Sequence, residues 1–313
     1  MSHLAVLTSG GDAPGMNASL RAIVRSATNN SMKVYGVSNG FEGLIDDLFS
    51  ELKPRQVGNI IQRGGSILQT SRSKRFLDKN YRDKARANLS KRNIGSVIVI
   101  GGEGSLKGAK CLGEDGNINV LGLPATIDRD IPSVGPTIGF DTAINTALQA
   151  IDRIRDTAST SNTVHIIELM GRNCGWISLF AGIGGGAEAV ILPEFPTDIK
   201  KLALQIKEQR SSGKQGCILI VSEGACNSLG GEGLIEDLNK VSNFDLRITK
   251  LGHIQRGGNP SAVDRVLASR LGAGAVEGFL ADSNRCVVAQ PKSNVEMIPF
   301  EALSGTLNSE LEA

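Results

Sequence analysis

Near its start the chain reads Leu4-Ala-Val-Leu-Thr-Ser-Gly10-Gly11-Asp-Ala-Pro-Gly15-Met-Asn17, a short apolar run that ends in a pair of glycines. The run predicts a buried strand, and the pattern at Ala18–Thr28 predicts a helix directly after it. Glycines after a strand let backbone N–H groups approach a phosphate, and the start of the next helix adds a partial positive charge. The stretch has neither the Gly-Lys-Ser/Thr of a P-loop nor a true GxGxxG fingerprint. A simple tight turn is therefore an equally good interpretation of this motif alone.

The alternation of strand and helix continues along the chain. Short apolar runs that end in glycine, serine, threonine or an acid predict buried strands at Leu4–Leu7, Lys33–Val37, Val97–Ile100, Val120–Leu123, Val164–Leu169, Ala189–Leu192, Ile218–Val221 and Cys286–Ala289. Helical patterns lie between them, among them Ala18–Thr28, Tyr81–Ser90, Thr142–Ile154, Ile199–Gln209 and Ala262–Phe279. Continuous apolar strands that alternate with helices predict an α/β fold with mainly parallel sheets covered by helices on both faces. The polar tail from Ser293 to Ala313 is expected to be loosely held.

Composition limits the class of protein. At about 150 residues per domain, 313 residues predict two domains or one large α/β unit. The 34 basic and 32 acidic residues nearly balance, which gives no reason to expect a nucleic acid or a membrane surface as partner. Five cysteines without a CxxC pair predict reduced thiols, and three histidines exclude a histidine-rich metal site. No apolar stretch approaches the roughly 18 residues of a membrane span and the start lacks a leader pattern, so we expect a soluble, cytoplasmic protein.

A second strand-glycine-helix motif reads Val97-Ile-Val-Ile-Gly101-Gly102-Glu103-Gly104-Ser105. An acid inside a glycine turn suits a Mg²⁺ ion beside a phosphate chain, because Mg²⁺ prefers carboxylate oxygens and retained waters. The alternative is that Glu103 only places a negative charge at the start of a helix. Two such turns in one chain favour a phosphorylated or nucleotide ligand.

The third motif, Leu123-Pro-Ala-Thr126-Ile-Asp128-Arg129-Asp130, places two acids two residues apart after a strand. In extended chain both would point the same way, so one could act as a base and the other could orient a group or link to a metal. Phosphoryl transfer needs an acid to accept the hydroxyl proton and cations to hold the phosphoryl group, with little covalent chemistry. A solvated acidic loop is the alternative.

Two further motifs place an arginine beside glycines after an apolar segment. They read Met170-Gly171-Arg172-Asn-Cys-Gly175 and Leu251-Gly-His253-Ile-Gln-Arg256-Gly-Gly258. This pattern is typical of a phosphate clamp made from backbone groups and a guanidinium. His253 by itself would more often be structural, but beside Arg256 and a glycine pair a ligand contact is the better interpretation.

Taken in order, these motifs resemble the 6-phosphofructokinase family. The stretches that carry the resemblance are Thr8–Asn17, Arg63–Gly65 with Ser71-Arg72, Gly101–Ser105, Thr126–Asp130, Met170–Arg172 and Gly252–Gly258. The resemblance implies phosphorylation of fructose 6-phosphate at its 1-hydroxyl, with ATP as co-substrate and Mg²⁺, by a cytoplasmic homotetramer with sites at subunit borders. It further implies two Rossmann-like domains: a larger nucleotide-binding domain at 1–138 plus 251–300, a smaller sugar-phosphate-binding domain at 139–250, and a tail at 301–313.

The resemblance also assigns site residues. On the nucleotide side are Gly11, Arg72, Gly102, Glu103, Gly104, Ser105 and Gly108, with Glu103 facing the metal. At the catalytic centre are Asp128 as the base, with Thr126, Asp130, Gly11, Arg72 and Arg172. On the sugar-phosphate side are Thr126, Asp128, Asp130, Met170, Gly171, Arg172, Glu223, His253 and Arg256, with Arg247 from a neighbouring subunit. An effector site for ADP or phosphoenolpyruvate matches Arg21, Arg25, Arg155, Glu188 and Lys214.

Several positions depart from the family pattern. Glu103 replaces an aspartate, Arg129 replaces an asparagine between the two acids, and Thr163 replaces an arginine that crosses the subunit border. Other replacements lie near the adenine pocket or the effector site: Phe41, Ser73 and Leu77 for Tyr, Phe and Arg, and Pro54 for an arginine, with Arg55 adjacent.

The small residues at two positions indicate which phosphoryl donor the protein uses. The pyrophosphate-dependent branch has an aspartate in place of Gly104 and a lysine in place of Ala125, so the sequence favours ATP. Two alternatives stay open: a weakly active or inactive member that serves as a regulatory or sugar-phosphate-binding subunit, and a kinase of the same fold for another sugar. The two retained acids and the arginines at 72 and 172 favour activity.

Overall fold

A computed structural model describes residues 3–161, 163–214 and 216–303. Its strands are β1 (His3–Ser9), β2 (Lys33–Val37), β3 (Phe49–Leu52), β4 (Ile94–Gly101), β5 (Asn119–Pro124), β6 (Val164–Leu169), β7 (Ala189–Ile191), β8 (Cys217–Ser222), β9 (Leu246–Lys250), β10 (Cys286–Ala289) and β11 (Glu296–Pro299). Its helices are α1 (Met16–Asn29), α2 (Gly40–Ile45), α3 (Lys79–Ser90), α4 (Glu103–Glu114), α5 (Phe140–Ser161), α6 (Trp176–Gly184), α7 (Ile199–Ser211), α8 (Ala225–Ser228), α9 (Gly230–Val241) and α10 (Ala262–Leu280). Short 3-10 segments lie at Arg75–Leu77, Gly252–Arg256 and Phe300–Leu303.

The chain forms two compact units. The first comprises Met1–Thr126, Asp130–Asp141 and Arg256–Ala313, and the second comprises Ile127–Arg129 and Thr142–Gln255. The chain therefore leaves the first unit and returns to it late.

The first unit is built on a sheet whose described strands have the order β11-β10-β5-β4-β1-β2-β3. The strands from β10 to β2 are parallel, and β11 and β3 pair antiparallel at the two edges. Residues 4–7 and 97–100 of its central strands are completely buried, as their continuous apolar runs predict. Helices α1 and α10 pack closely: a Cβ on Gly272 would lie 2.8 Å from the Ser19 carbonyl oxygen, so glycine is needed there.

The second unit contains a sheet whose described strands are parallel and have the order β7-β8-β6-β9. Leu234 and Leu238 of α9 share one hydrophobic cluster with Ile191 of β7. Successive side chains of a strand point to opposite faces, so Val190 faces the other side, where α6 passes close enough for a Cβ on Gly182 to overlap it. Helices thus cover both faces, and the α/β prediction with mainly parallel sheets is confirmed.

The eight predicted strands are present, but β3, β9 and β11 were not predicted from the sequence. The expected loose tail is wrong for its first half, because β11 pairs with β10 and Phe300 is buried in the core. An edge strand is held by backbone hydrogen bonds on one side, so its polar side chains give little signal. Residues 304–313 lie outside the described part of the chain. No helix in that part is both long and apolar enough to cross a membrane.

Candidate active site

The predicted nucleotide residues meet at one edge of the first unit's sheet. Parallel pairing of β1 with β4 places Ser9 opposite Gly101, so the glycine turns that follow the two strands are neighbours. A Cβ on Gly101 would lie 2.6 Å from the Ser9 carbonyl oxygen, which requires glycine. The Gly10 N–H donates to the Ser71 carbonyl at 3.1 Å and brings the adjacent, exposed Arg72 to the same turn.

Helix α4 begins at Glu103, directly after β4, so its unpaired N–H groups point toward this edge. The Glu103 carboxylate is 44% exposed and pairs with Lys107 at 2.6 Å, one turn along the helix. Gly104 is exposed, and a Cβ there would meet nothing within 4 Å, whereas Ser105 is buried. The start of α4 thus offers a helix dipole, open space and an exposed carboxylate side by side.

An aromatic pair lies beside the same helix. Phe41 and Phe76 are buried and stacked with centroids 4.1 Å apart, and a Cβ on Gly108 would lie 2.9 Å from the Phe41 ring. The Ser73 hydroxyl accepts the Phe76 N–H at 3.1 Å, and Leu77 is 82% exposed. Gly108 therefore keeps the α4 backbone against an apolar wall.

Thr126 and Asp130 also belong to the first unit. The Thr126 hydroxyl donates to Asp130 Oδ1 at 3.3 Å, and its carbonyl accepts from the Thr137 hydroxyl at 2.8 Å. A Cβ on Gly102 would lie 3.5 Å from Thr126 Cβ. The pair therefore lies next to the turn that begins α4.

Arg256 joins this edge from the late segment of the chain. Its Nη1 lies 3.5 Å from the Asp12 carbonyl oxygen, and a Cβ on Gly11 would lie 2.6 Å from the same nitrogen. A second close approach brings Gly64 against the Gly258 carbonyl. Motifs almost 250 residues apart in the sequence thus form one surface.

Asp128 belongs to the second unit and is 5% exposed, so the sequence alternative of a solvated acidic loop does not describe it. The next residue, Arg129, has a left-handed backbone with φ of 52°. Its guanidinium lies over the rings of Trp176, at 4.8 Å, and Phe180, at 5.9 Å. Its carbonyl oxygen lies 4.0 Å from Cys174 Sγ. The replacement of asparagine by arginine is therefore matched by aromatic residues on α6, which no local sequence pattern indicates.

The arginine-glycine motif after β6 forms a second cluster in this unit. Arg172 is exposed, with φ of 51°, and its N–H donates to Glu223 Oε1 at 3.0 Å. The Met170 N–H donates to Oε1 of the fully buried Gln255 at 2.9 Å. Gly171 has φ of 136°, a conformation that favours glycine. Gln255 was not predicted, although it lies inside a motif that was.

Arg247 does not join this cluster within one chain. It lies opposite His165 in the parallel register, four residues before the end of β6, which is about 13 Å along the strand. Its side chain is 65% exposed and pairs with Asp245 at 3.4 Å. His253 is exposed in the 3-10 segment Gly252–Arg256.

Three predicted effector residues form an ion cluster in the second unit. The Glu188 side chain, 3% exposed, pairs with Lys214 at 2.6 Å and with Arg155 at 3.6 Å. Arg155 also donates to the Gly185 carbonyl at 2.6 Å. Burial beside Glu188 raises the pKa of Cys217 to about 12. The other two candidates lie on α1 of the first unit: Arg21 and Arg25.

Comparison with known proteins identifies the family of this chain. A family model described as phosphofructokinase matches residues 3–279. The chain is 49% identical over 304 residues to an ATP-dependent 6-phosphofructokinase of Staphylococcus epidermidis, covering 97% of this chain and 94% of the relative. It is 46% identical over 301 residues to ATP-dependent 6-phosphofructokinase 1 of Thermus thermophilus, covering 96% and 93%. The phosphofructokinase structure from Saccharomyces cerevisiae superposes with a TM-score of 0.91 at 30% identity, over 96% of this chain but 45% of the yeast chain.

Proposed function

The chain belongs to the phosphofructokinase family, and on that premise we propose how its residues phosphorylate fructose 6-phosphate at the 1-hydroxyl with ATP. The reaction yields fructose 1,6-bisphosphate and ADP in glycolysis, which fits a cytoplasmic enzyme. The observation that carries the assignment of residues is the buried Asp128 carboxylate, two residues after Thr126 and two before Asp130.

Asp128 acts as the base. It accepts the proton of the sugar 1-hydroxyl as that oxygen attacks the terminal phosphorus atom of ATP, and the bond to the leaving ADP breaks. Base assistance of this kind contributes roughly 10²–10⁴-fold. The Thr126–Asp130 hydrogen bond holds the flanking residues in place, and Arg72 and Arg172 offset the charge of the transferring group.

The nucleotide phosphates bind the neighbouring turns after β1 and β4. Backbone N–H groups at Gly11, Gly102 and Gly104 and the Ser105 hydroxyl face the phosphates, and the α4 dipole favours their negative charge. The adenine side lies along Gly108 and the aromatic pair beneath it. ATP fits better than pyrophosphate, because the open space at Gly104 leaves room for a further phosphate where an aspartate would repel it.

The donor set at the start of α4 fits Mg²⁺. Glu103 presents an exposed carboxylate where the phosphates approach, and a single carboxylate with phosphate oxygens and waters is a usual environment for this ion. When bound, Mg²⁺ would neutralise charge on the transferring phosphates. Glu103 would have to exchange its ion pair with Lys107 for this contact.

The sugar phosphate binds Met170, Gly171, Arg172 and Glu223 with His253 and Arg256, and Arg247 comes from a neighbouring copy in a homotetramer. The position of Arg247, about 13 Å along the strand from the carboxyl end of β6, supports this arrangement. In terms of domains, we assign nucleotide binding to 1–138 plus 251–300 and sugar-phosphate binding to 139–250, with a tail at 301–313.

The effector assignment rests on the ion cluster at Glu188. Arg155 and Lys214, with Arg21 and Arg25, supply cations for ADP or phosphoenolpyruvate. A carboxylate held between two cations gives up part of that pairing when an anion binds, so binding and local rearrangement are coupled.

The test is a coupled assay of the purified protein with ATP, Mg²⁺ and a panel of sugar phosphates and free sugars. We expect turnover with fructose 6-phosphate and its loss in Asp128→Asn with sugar-phosphate binding retained. Turnover of a different sugar alone would make the chain a kinase of the same fold with another substrate. Binding without turnover on any sugar would make it a regulatory subunit.

A further inference from the structure

The Thr163 position lacks a charge that the family places at the subunit border. Thr163 is 5% exposed and immediately precedes β6, so its own hydroxyl cannot replace an arginine that extends into solvent. The phosphate of a sugar phosphate carries nearly two negative charges and is bound most strongly by charged donors. Another residue close to Thr163 must therefore be considered as its partner.

That residue is His165. Its Nε2 lies 2.6 Å from the Thr163 hydroxyl oxygen, and the two residues are two apart, so they share one face of the sheet. The ring is half-buried, and the hydrogen bond to a buried hydroxyl fixes its orientation. The other ring nitrogen, Nδ1, is not engaged in that hydrogen bond.

The sheet register places His165 beside Arg247. On β9 its partner is Arg247, and on β8 its partner is the apolar Ile218. Within the described residues, the charged groups that act on the ring are Arg247 and Asp245, both from the β9 side. Burial is the main cause that holds the pKa of His165 below its usual range. The positive charge of Arg247 acts in the same direction, and the negative charge of Asp245 opposes both. The positive charge of Arg247 therefore disfavours a proton on the ring in the free protein.

We propose that His165 acts with Arg247 as a second contact to the phosphate of the sugar bound by a neighbouring copy, in place of the missing arginine. The proposal rests on the proposed function and names a specificity-determining residue for it. Thr163 is the positioning residue that orients the ring. An arriving phosphate dianion offsets the charge of Arg247 and favours a proton on His165, so sugar-phosphate binding takes up a proton.

The sign of the pH dependence follows from this linkage. A group that gains a proton on binding strengthens binding as the pH falls. The contribution of His165 is therefore larger near pH 6 than near pH 8. The phosphate itself also titrates in this range and acts in the opposite direction, so the effect must be read as a ratio between variant and parent at each pH.

The experiment compares the full-length parent with His165→Gln, using fructose 6-phosphate saturation at fixed, saturating ATP and Mg²⁺. We expect the KM for fructose 6-phosphate in His165→Gln to exceed that of the parent by about fivefold near pH 6 and by less than about twofold near pH 8, with kcat little changed. The matched control is His3→Gln, because His3 is bonded to the Arg92 carbonyl at 2.6 Å in the first unit. Its KM ratio should stay close to one at both pH values.

Two further variants keep the test decisive. Thr163→Val removes the hydroxyl that orients the ring and should show the same pH trend with a smaller ratio, even where His165→Gln folds poorly. Thr163→Arg should lower the KM for fructose 6-phosphate by up to roughly tenfold. In a protein that already carries Thr163→Arg, the further change His165→Gln should leave this KM unchanged.

A His165→Gln ratio that is the same at both pH values overturns the inference while leaving the proposed function intact. So does an unchanged KM in both His165→Gln and Thr163→Val, provided that their thermal unfolding matches the parent. Absence of parental turnover with fructose 6-phosphate refutes the proposed function, and the inference then falls with it.

Discussion

Replacing Gly11 by alanine tests whether the late segment of the chain completes the site. The added Cβ would lie 2.6 Å from Arg256 Nη1, whereas a comfortable contact of this kind is about 3.5 Å. Gly11 has no left-handed φ, so alanine is compatible with its backbone. The guanidinium can move while the backbone cannot, so Arg256 is displaced by about 1 Å.

The magnitude follows from hydrogen-bond geometry. A donor–acceptor distance of about 2.9 Å that grows by about 1 Å is no longer a hydrogen bond. Losing one charge-assisted bond costs about 1.5–3 kcal/mol, which corresponds to roughly a 10- to 150-fold rise in KM for fructose 6-phosphate. The KM for ATP should change less, because the contact proposed between Gly11 and ATP is made by the backbone N–H, which the methyl group leaves in place.

The assay is saturation with each substrate at a fixed excess of the other. The matched control is Gly95→Ala on β4, where an added Cβ meets nothing within 4 Å. If the KM of Gly11→Ala for fructose 6-phosphate stays within about twofold of this control, Arg256 does not bind the sugar phosphate and the assignment is wrong.

Substitutions at three other positions test further assignments. Asp128→Asn should lower kcat by roughly 10²–10⁴-fold with the fructose 6-phosphate KM nearly unchanged, and steady-state kinetics at saturating ATP will check this; a parental rate would exclude Asp128 as the base. Arg129→Asn should raise kcat, because a neighbouring cation weakens a carboxylate base. Chemical denaturation of the same variant should show a free energy of unfolding lower by about 0.5–1 kcal/mol, because the contact with Trp176 is missing. A fall in kcat would mean that Arg129 has its own catalytic role. Glu103→Ala should abolish activity at ordinary Mg²⁺ concentrations, and Glu103→Asp should lower the Mg²⁺ concentration needed for half-maximal rate. Both effects are measured by titrating Mg²⁺ in the activity assay. An unaltered Mg²⁺ requirement in the alanine variant would remove Glu103 from the metal site.

Sequence patterns predicted the central strands because burial on both faces leaves an unbroken apolar run. Val164–Leu169 and Cys286–Ala289 were predicted with the bounds that the structure has. β9 was not predicted, because it carries Arg247 and Lys250 and is only partly buried along its length. The apolar pattern of a strand reflects how much of the strand is buried. A strand at the edge of a sheet is buried too little to show this pattern.

The residues of the candidate site could also be predicted only in part, because only some of them leave a local pattern in the sequence. Glycines at turns between strand and helix leave a local signature, so Gly101–Ser105 could be found from sequence spacing. Contacts such as the one between Arg129 and Trp176 join residues 47 positions apart, and nothing in either local sequence indicates the other. The pairing of Thr163 with His165 was within reach, because alternate residues of a strand share a face.

The interrupted first unit has a consequence for biosynthesis. When Asp141 leaves the ribosome, α1 still lacks α10 and β5 still lacks β10, and about 120 further residues must be made before Ala262, the first residue of α10, leaves the ribosome as well. At typical translation rates of about 5–20 residues per second, that interval lasts roughly 6–24 s. During it the nascent chain carries an open sheet edge and the bare apolar side of α1, whereas the second unit, apart from its short segment Ile127–Arg129, emerges as one continuous stretch and can fold first. Chaperone binding to ribosome-bound chains should therefore peak before Ala262 emerges and decline once α10 and β10 have emerged.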